Sequence, residues 1–174
     1  SNADTISSQI IESARKTNDS MPNHVVEITK SGLARANKSL TDSKITILGV
    51  TYKANVSDVR LSPARDIILK LLEFSNQVIV YDPLSPESFG AQKNTDLWNS
   101  ISDSDVLIVV TNHDEFKNLD LNKIKSKMNT PIIVDTRRIF DRNQAEKIGI
   151  MYYAVGYGGK HKWKNLKHLK IHQY

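Results

Sequence analysis

A doubly wound α/β fold, with a mainly parallel sheet of about five strands and a helical arm ahead of it, is what this sequence predicts. Three observations carry that expectation: four short apolar runs, helical periodicity between them, and a serine-proline helix start after the first. The runs are Ile45–Val50, Gln77–Tyr81, Val106–Thr111 and Pro131–Asp135, and each is nearly all apolar. Strands buried on both faces of a parallel sheet read this way, whereas one-faced strands alternate.

Residues 5–40 come first and read as helix. Ile6, Ile10 and Ala14 mark one apolar face, and Val25, Ile28, Gly32, Leu33, Ala36 and Leu40 continue it at three-to-four spacing. Asn18-Asp19-Ser20-Met21-Pro22 interrupts the pattern. Either a new helix starts there, with Ser20 as cap and Pro22 in the first turn, or a longer helix kinks at the proline. The connector after the first run ends in Ser62-Pro63-Ala64, a hydroxyl cap followed by proline at the first helical position, with Ile67, Ile68, Leu71 and Leu72 facing inward. Shorter helices are expected at Asp96–Ser102 and Leu121–Lys127, and a fifth strand at Met151–Val155. Strands and helices alternating this way give right-handed crossovers in a Rossmann-like sheet, to which the helical arm does not belong.

The divisions follow: 1–3 as a tag remnant, 4–41 as the arm, 42–159 as the sheet domain and 160–174 as a basic tail. The net charge of +5 sits in that tail, where Lys160, Lys162, Lys164, Lys167 and Lys170 meet no acid. The remainder is neutral, so there is no basic face of the kind nucleic-acid-binding domains show. Lysines around Trp163 read as a solvated terminus. The chain has no cysteine, which excludes disulfides and thiolate chemistry within it, and its five histidines lack metal-ligand spacing. No run approaches the roughly 20 apolar residues of a membrane-spanning helix, and the start lacks a secretory pattern. A cytoplasmic protein with no metal, membrane or nucleic-acid partner is the expectation.

Ligands of open α/β sheets bind beyond the carboxyl ends of the strands, where strand order reverses. Only Gly49 stands where a dinucleotide fingerprint wants three glycines, so this sheet does not hold a dinucleotide in the usual way. Instead a polar loop, Tyr52–Leu61, carries Lys53, Asp58 and Arg60 towards the capped helix, a plausible phosphate site that could equally be a solvated connection. Asp82 before Pro83 reads as a turn-organising acid, because a ribose-binding acid would lack its partner glycines. His113 reads as a surface or helix-entry residue. Of the adjacent Arg137 and Arg138, at most one faces a given pocket; Arg137 reads as a phosphate or ribose contact or as half of a surface ion pair.

The string Ile47-Leu48-Gly49-Val50-Thr51-Tyr52-Lys53-Ala54-Asn55-Val56-Ser57-Asp58-Val59-Arg60-Leu61-Ser62-Pro63-Ala64 resembles the nucleotide-sugar 6-dehydrogenases, the UDP-glucose/GDP-mannose dehydrogenase family. In that family a similar glycine, aromatic-lysine, aspartate-x-arginine and serine-proline run opens the third domain. Ala14-Arg15, Asn18–Pro22, Val80–Pro83 and Val134–Arg137 fall in the family's order, so the likeness spans roughly residues 9–159.

The resemblance implies a UDP-binding domain joined to the end of a central helical region that makes a homodimer, with NAD held mainly by an amino-terminal domain absent here. Such enzymes oxidise the C6 alcohol of a UDP-sugar to a carboxylate with two NAD, through a cysteine thioester, yielding uronic acids for polysaccharides. This chain has no cysteine, so the resemblance implies no catalytic residue and no dehydrogenase activity in it alone. Tyr52, Lys53 and Arg137 match substrate-binding positions, and Arg60 matches an arginine that reaches the NAD pyrophosphate. Asp58 is then structural. Leu61 replaces an acid found in many members, and Val155-Gly156-Tyr157-Gly158-Gly159 stands where similar sequences often have Gly-x-Gly with an arginine nearby. Ala54-Asn55-Val56 and Gly149–Tyr152 look more like the N-acetylhexosamine type, as in UDP-N-acetylmannosamine dehydrogenase. The competing expectation is a freestanding nucleotide-binding module.

Overall fold

A computed structural model describes residues 20–155. Residues 20–35 are helical (α1). There follow β1 (Ile45–Leu48), α2 (Pro63–Leu72), β2 (Val78–Tyr81), β3 (Gln92–Lys93), α3 (Leu97–Ile101), β4 (Val106–Val109), α4 (Asp114–Lys117), α5 (Leu121–Lys127), β5 (Ile132–Asp135), α6 (Arg142–Lys147) and β6 (Met151–Ala154). The strands form one sheet in the order β3-β2-β1-β4-β5-β6, every pair parallel. β1 and β4 sit at the centre, where the winding reverses.

The predicted strands are present, and all four residues of β1, β2, β4 and β5 are buried, the environment that continuous apolar runs require. The sheet has six strands rather than about five. The extra one, β3, is a two-residue polar edge strand held by backbone pairing and by Lys93 Nζ donating to Ser85 O at 2.7 Å, so no apolar run announces it. α4 and α6 were likewise outside the expectation: each buries one side chain, Phe116 and Ala145, and a single apolar residue makes no period.

Helix starts are written in side chains. Ser62 accepts from Ala64 N with Pro63 at the first position of α2. Asp96, Asp120 and Asp141 cap α3, α5 and α6 by accepting backbone N–H groups, which satisfies donors that no helix can pair internally. Ser20 is already helical and so is not a cap; residues 4–19 of the expected arm, the 156–159 glycine run and the 160–174 tail lie outside the described residues.

The arm is not separate from the sheet. Val25, Val26 and Leu33 of α1, with Leu40 beyond it, share one buried cluster with Ile45, Ile47, Ile108, Ile132 and Val134 and with Ile67, Ile68 and Leu71 of α2. The opposite face packs on α3 to α6. Among the crossover helices only α2 covers the first face, which leaves the β4–β6 half for α1. Gly32 marks the closest approach: a Cβ there would lie 3.1 Å from both Ile132 Cγ2 and Tyr153 Cε2. Just past α1, Lys38 Nζ donates to Asp105 Oδ1 at 2.6 Å, while Lys44 N donates to the other oxygen at 3.1 Å, tying the segment to the amino end of β4.

At the carboxyl end of β1, Gly49 has φ +84° and a Cβ there would sit 2.4 Å from Thr111 Cβ and 2.9 Å from Thr111 N. Left-handed geometry and overpacking each penalise a side chain, by about 1–2 and about 1–3 kcal/mol. Gly49→Ala is therefore expected to destabilise the fold by about 2–5 kcal/mol in urea unfolding, and an unchanged midpoint would contradict the close approach.

Candidate functional site

The carboxyl ends of β1 and β4 are knitted together before any side chain turns outward. Val110 N donates to Leu48 O at 2.9 Å, Gly49 N to Tyr81 O at 2.9 Å, and Thr111 Oγ1 to Thr51 O at 2.7 Å. From this base the loop of residues 51–61 leaves the sheet and is closed by Tyr52 N donating to Asp58 O at 2.9 Å. Its tip is pinned at Asn55, which adopts φ +60°. The Asn55 N–H donates to His113 Nδ1 at 3.0 Å, Asn55 Nδ2 to Asp114 Oδ2 at 2.7 Å, and Asp114 N returns a bond to Asn55 Oδ1 at 3.1 Å.

Asp82 organises the level below. Oδ2 accepts from Val50 N at 2.7 Å and lies 3.1 Å from His113 Nε2, while Oδ1 accepts from Leu84 N and Ser85 N at 2.9 Å each. Burial pushes this carboxyl up, but hydrogen bonds from His113, Val50 and Leu84 outweigh it and hold the group below its ordinary value. Asp82 thus makes the turn expected of it and also fixes the end of β1. His113 departs from the surface residue expected: it stands at the entry to α4 but is 1% exposed, with its ring edge-on to Phe116.

A cleft of about 620 Å³ opens beside the loop, within the size range of small-molecule sites. One wall is apolar, from Met21, Pro22 and Val25 of α1; the others bring Tyr52 and Leu61, then Ser62 and Arg65 at the amino end of α2, then Thr136 and Arg137 after β5. Arg137 is fixed twice. Its N–H donates to Asp135 Oδ1 at 3.0 Å and its Nε to Val110 O at 2.7 Å. Buried Asp135 holds the same turn with its other oxygen, which accepts from Phe140 N and the Tyr152 hydroxyl. Burial and the Asp135 charge push the Tyr152 hydroxyl well up, so it stays a donor.

Of the four residues singled out in the sequence, Tyr52 and Arg137 meet on the cleft wall. Lys53 is exposed beside Tyr52, its Nζ 5.9 Å from that ring's centre, and is not among the lining residues. Arg60 also lies off the wall. Its Nε and Nη2 clasp both oxygens of Asp58 at 2.9 and 2.8 Å, and its N–H donates to Oδ1. Arg60's side-chain hydrogen bonds bring the Asp58 carboxyl down to about 2 and raise the guanidinium. Arg138 follows at φ +54° and does not line the cleft. Sequence reasoning missed Arg65, Thr136 and the α1 wall. Arg65 was legible as the cation in the first turn after the serine-proline start; the wall was not, because it depends on α1 docking.

Chemically, the cleft offers an aromatic ring, an apolar wall, Arg137, the amino terminus of a ten-residue helix and Arg65, which is paired with Asp66 of the same lining at 3.5 Å, a set with one net positive charge suited to a base joined to an anion. Among the described residues no group of three or more His, Cys, Asp or Glu could hold a metal ion, and no helix is long and apolar enough to cross a membrane.

Fold and cleft together define a nucleotide-binding, doubly wound α/β domain. Residues 46–142, more than half the chain, match the model of the UDP-glucose/GDP-mannose dehydrogenase family, UDP binding domain. The chain is 36% identical over 153 residues to UDP-N-acetyl-D-mannosamine dehydrogenase of Methanocaldococcus jannaschii, covering 86% of this chain and 34% of that protein. It is 37% identical over 158 residues to UDP-glucose 6-dehydrogenase of Rickettsia bellii, covering 87% and 36%. The solved structure of a UDP-D-ManNAc dehydrogenase from Pyrococcus horikoshii superposes with TM-score 0.75 at 27% identity, over 83% of this chain and 33% of that one. The chain belongs to the UDP-glucose/GDP-mannose dehydrogenase family, as its UDP-binding domain. It spans about a third of the length of these relatives.

Replacing Asp82 by Asn would turn an amide donor or a poorer acceptor towards Val50 N–H and His113. The expected loss at pH 7 is about 2–3 kcal/mol, the order of a disrupted buried charge-assisted network. Because the folded value lies below the ordinary carboxylate value near 4, this contribution is complete above about pH 4 and disappears as pH falls through the lowered value. Urea unfolding of both proteins at pH 7 and in acid checks it: the gap should be wide at pH 7 and narrow in acid.

Proposed function

We propose that this chain seats the UDP portion of a nucleotide sugar in the cleft between the 51–61 loop, the amino end of α2 and the turn after β5, within an NAD-dependent nucleotide-sugar 6-dehydrogenase. The observation that carries the reading is that Tyr52, Arg137 and the amino end of α2 line one cleft. Tyr52 supplies a face for the base or ribose. Arg137, with its Nε anchored on Val110 O, offers a guanidinium that stays charged and matches phosphate oxygens in a plane. Lys53 reaches the diphosphate from the rim, a role for which its exposure leaves its long side chain free to swing.

NAD does not fit this sheet. Gly49 serves the approach of β1 to Thr111 rather than that of a pyrophosphate, and 14 residues separate β1 from α2 where a dinucleotide turn is tight. Arg60 is the residue proposed to face the cofactor, presented at the loop's outer edge by Asp58. The domain's contribution to C6 oxidation is then positional: it fixes the diphosphate so that the sugar meets reacting groups carried elsewhere in the protein, a role that can account for a large share of barrier lowering. Formation of uronic acids for polysaccharides in the cytoplasm belongs to the same reading. A homodimer, also part of it, has to use surfaces other than Val25, Val26 and Leu33, which are buried on this chain's own sheet.

Titration calorimetry with UDP tests the assignment. Lys53→Ala and Arg137→Ala should each weaken binding roughly 10- to 100-fold, the worth of a hydrogen bond to a charged group. Arg60→Ala, whose target is the cofactor, should leave UDP affinity within about twofold. Equal affinity in the first two variants and the parent refutes the cleft.

A further inference from the structure

His113 is a buried titratable side chain that the proposed function leaves unused, and its hydrogen-bond partners dictate one tautomer. Nδ1 accepts the Asn55 N–H at 3.0 Å, so that nitrogen must carry a lone pair. Nε2 lies 3.1 Å from both Asp82 Oδ2 and Thr51 Oγ1. The Thr51 hydroxyl spends its own hydrogen on Lys53 O at 2.9 Å, so towards the ring it is an acceptor, as is the carboxylate. Both therefore call for a hydrogen on Nε2. Only the neutral Nε2–H tautomer satisfies all three partners.

The ring is thereby a peg under the loop that carries Tyr52 and Lys53. Those two residues lie between Thr51, held by Thr111 Oγ1 and the ring, and Asn55, held by the ring and by Asp114. A proton on Nδ1 would set a donor against the Asn55 N–H. Either the loop lifts at Asn55, or the ring turns and forfeits its bonds to Asp82 and Thr51. The neighbours settle which. Asp82, at the end of β2, lies 3.1 Å from Nε2 and keeps the ring in place; Lys93 Nζ sits beyond it on Asp82 O at 3.3 Å. On the α4 side Asp114 is engaged by Lys117 and Asn55, and Phe116 is apolar. Protonation thus exchanges the loop contact for an ion pair with Asp82.

We infer that His113 is a positioning residue for the nucleotide loop: neutral, it fixes Asn55 and so aligns Tyr52 and Lys53, and charging it releases the loop and weakens binding of the nucleotide diphosphate. The inference rests on the cleft being the UDP site. Its sign is fixed by linkage. The state with the ordered loop binds one proton fewer, so a ligand that needs that state binds more weakly as pH falls, by at most about tenfold per pH unit.

The test uses UDP-glucose, whose diphosphate is esterified at both ends and lacks the phosphate proton that titrates near pH 6 in a monoester. Calorimetry between about pH 8 and about pH 5.5, where histidines ordinarily charge, is run on the parent and on His113→Asn, whose amide oxygen can replace Nδ1 as a non-titrating acceptor. In parallel, ¹⁵N spectra of the ring and hydrogen exchange at the Asn55 amide are followed in the parent. Expected are the Nε2–H tautomer at high pH, loss of Asn55 protection as the ring charges, an affinity at least about fivefold lower at the acid end, and a slope that is flat in His113→Asn. An Nδ1–H tautomer, Asn55 protection that survives charging of the ring, or the same slope in both proteins overturns the inference. Absence of UDP-glucose binding to the parent at pH 8 would instead sink the cleft assignment, while the ring and amide measurements would still judge the peg. Should His113→Asn fail to fold, those two measurements on the parent decide.

Discussion

The carboxylate of Asp82 is the point on which the working end of this domain turns. It lies where β1 hands over to the loop, is almost wholly buried, and accepts from Val50 N, Leu84 N, Ser85 N and the His113 ring. A buried charge without such partners would cost several kcal/mol. With them, desolvation is offset by four converging donors, and the carboxylate becomes a rigid reference for three segments. β1 ends at a set height, β2 turns away, and β4 presents His113 upward. The short distance between Gly49 and Thr111 depends on that same alignment.

One pattern recurs around the cleft: acids fix the side chains of the loop, of the level beneath it and of the wall. Asp82 sets His113, Asp114 sets Asn55, Asp58 clasps Arg60, and Asp135 fixes the turn that presents Arg137. These four acids are spent on backbone and side-chain donors; on the cleft wall itself Arg65, Arg137 and the helix N–H groups stand with one acid, Asp66. Arg137 is thereby held in place on the wall, with little side-chain entropy left to lose. Arg60 differs in degree: its clasp is exposed and screened, so it is a weaker restraint than the bonds on Arg137.

Much of this was legible in the residues. The buried strands show as unbroken apolar runs, and α2 shows through Ser62-Pro63, because both signals are local. Tyr52, singled out by the likeness to the family's aromatic-lysine pair, and Arg137, singled out also by its place at a strand end, both line the cleft. What escaped depends on long-range contact. β3 is polar and exists through pairing with β2. His113 looks like any polar residue before a helix until Asn55, 58 positions earlier, donates to it. The apolar wall of the cleft was hidden for the same reason, since the pattern of α1 announces a buried stripe without naming the surface that buries it.

That last point changes how the domain should be divided. A helix read as an arm apart from the sheet supplies Met21, Pro22 and Val25 to the cleft, and Val25 is at the same time a core residue. Gly32 lets the helix approach β5 and β6 closely, Lys38 ties its far end to Asp105, and both contacts lie outside the ligand's reach. The depth of the cleft is therefore fixed by packing more than a helical turn away from it. A boundary drawn at residue 41 would cut the cleft in two: the sheet side would keep Tyr52 and Arg137 but lose the apolar wall of Met21, Pro22 and Val25, and electrostatic contacts in such an opened cleft would be screened and weaker.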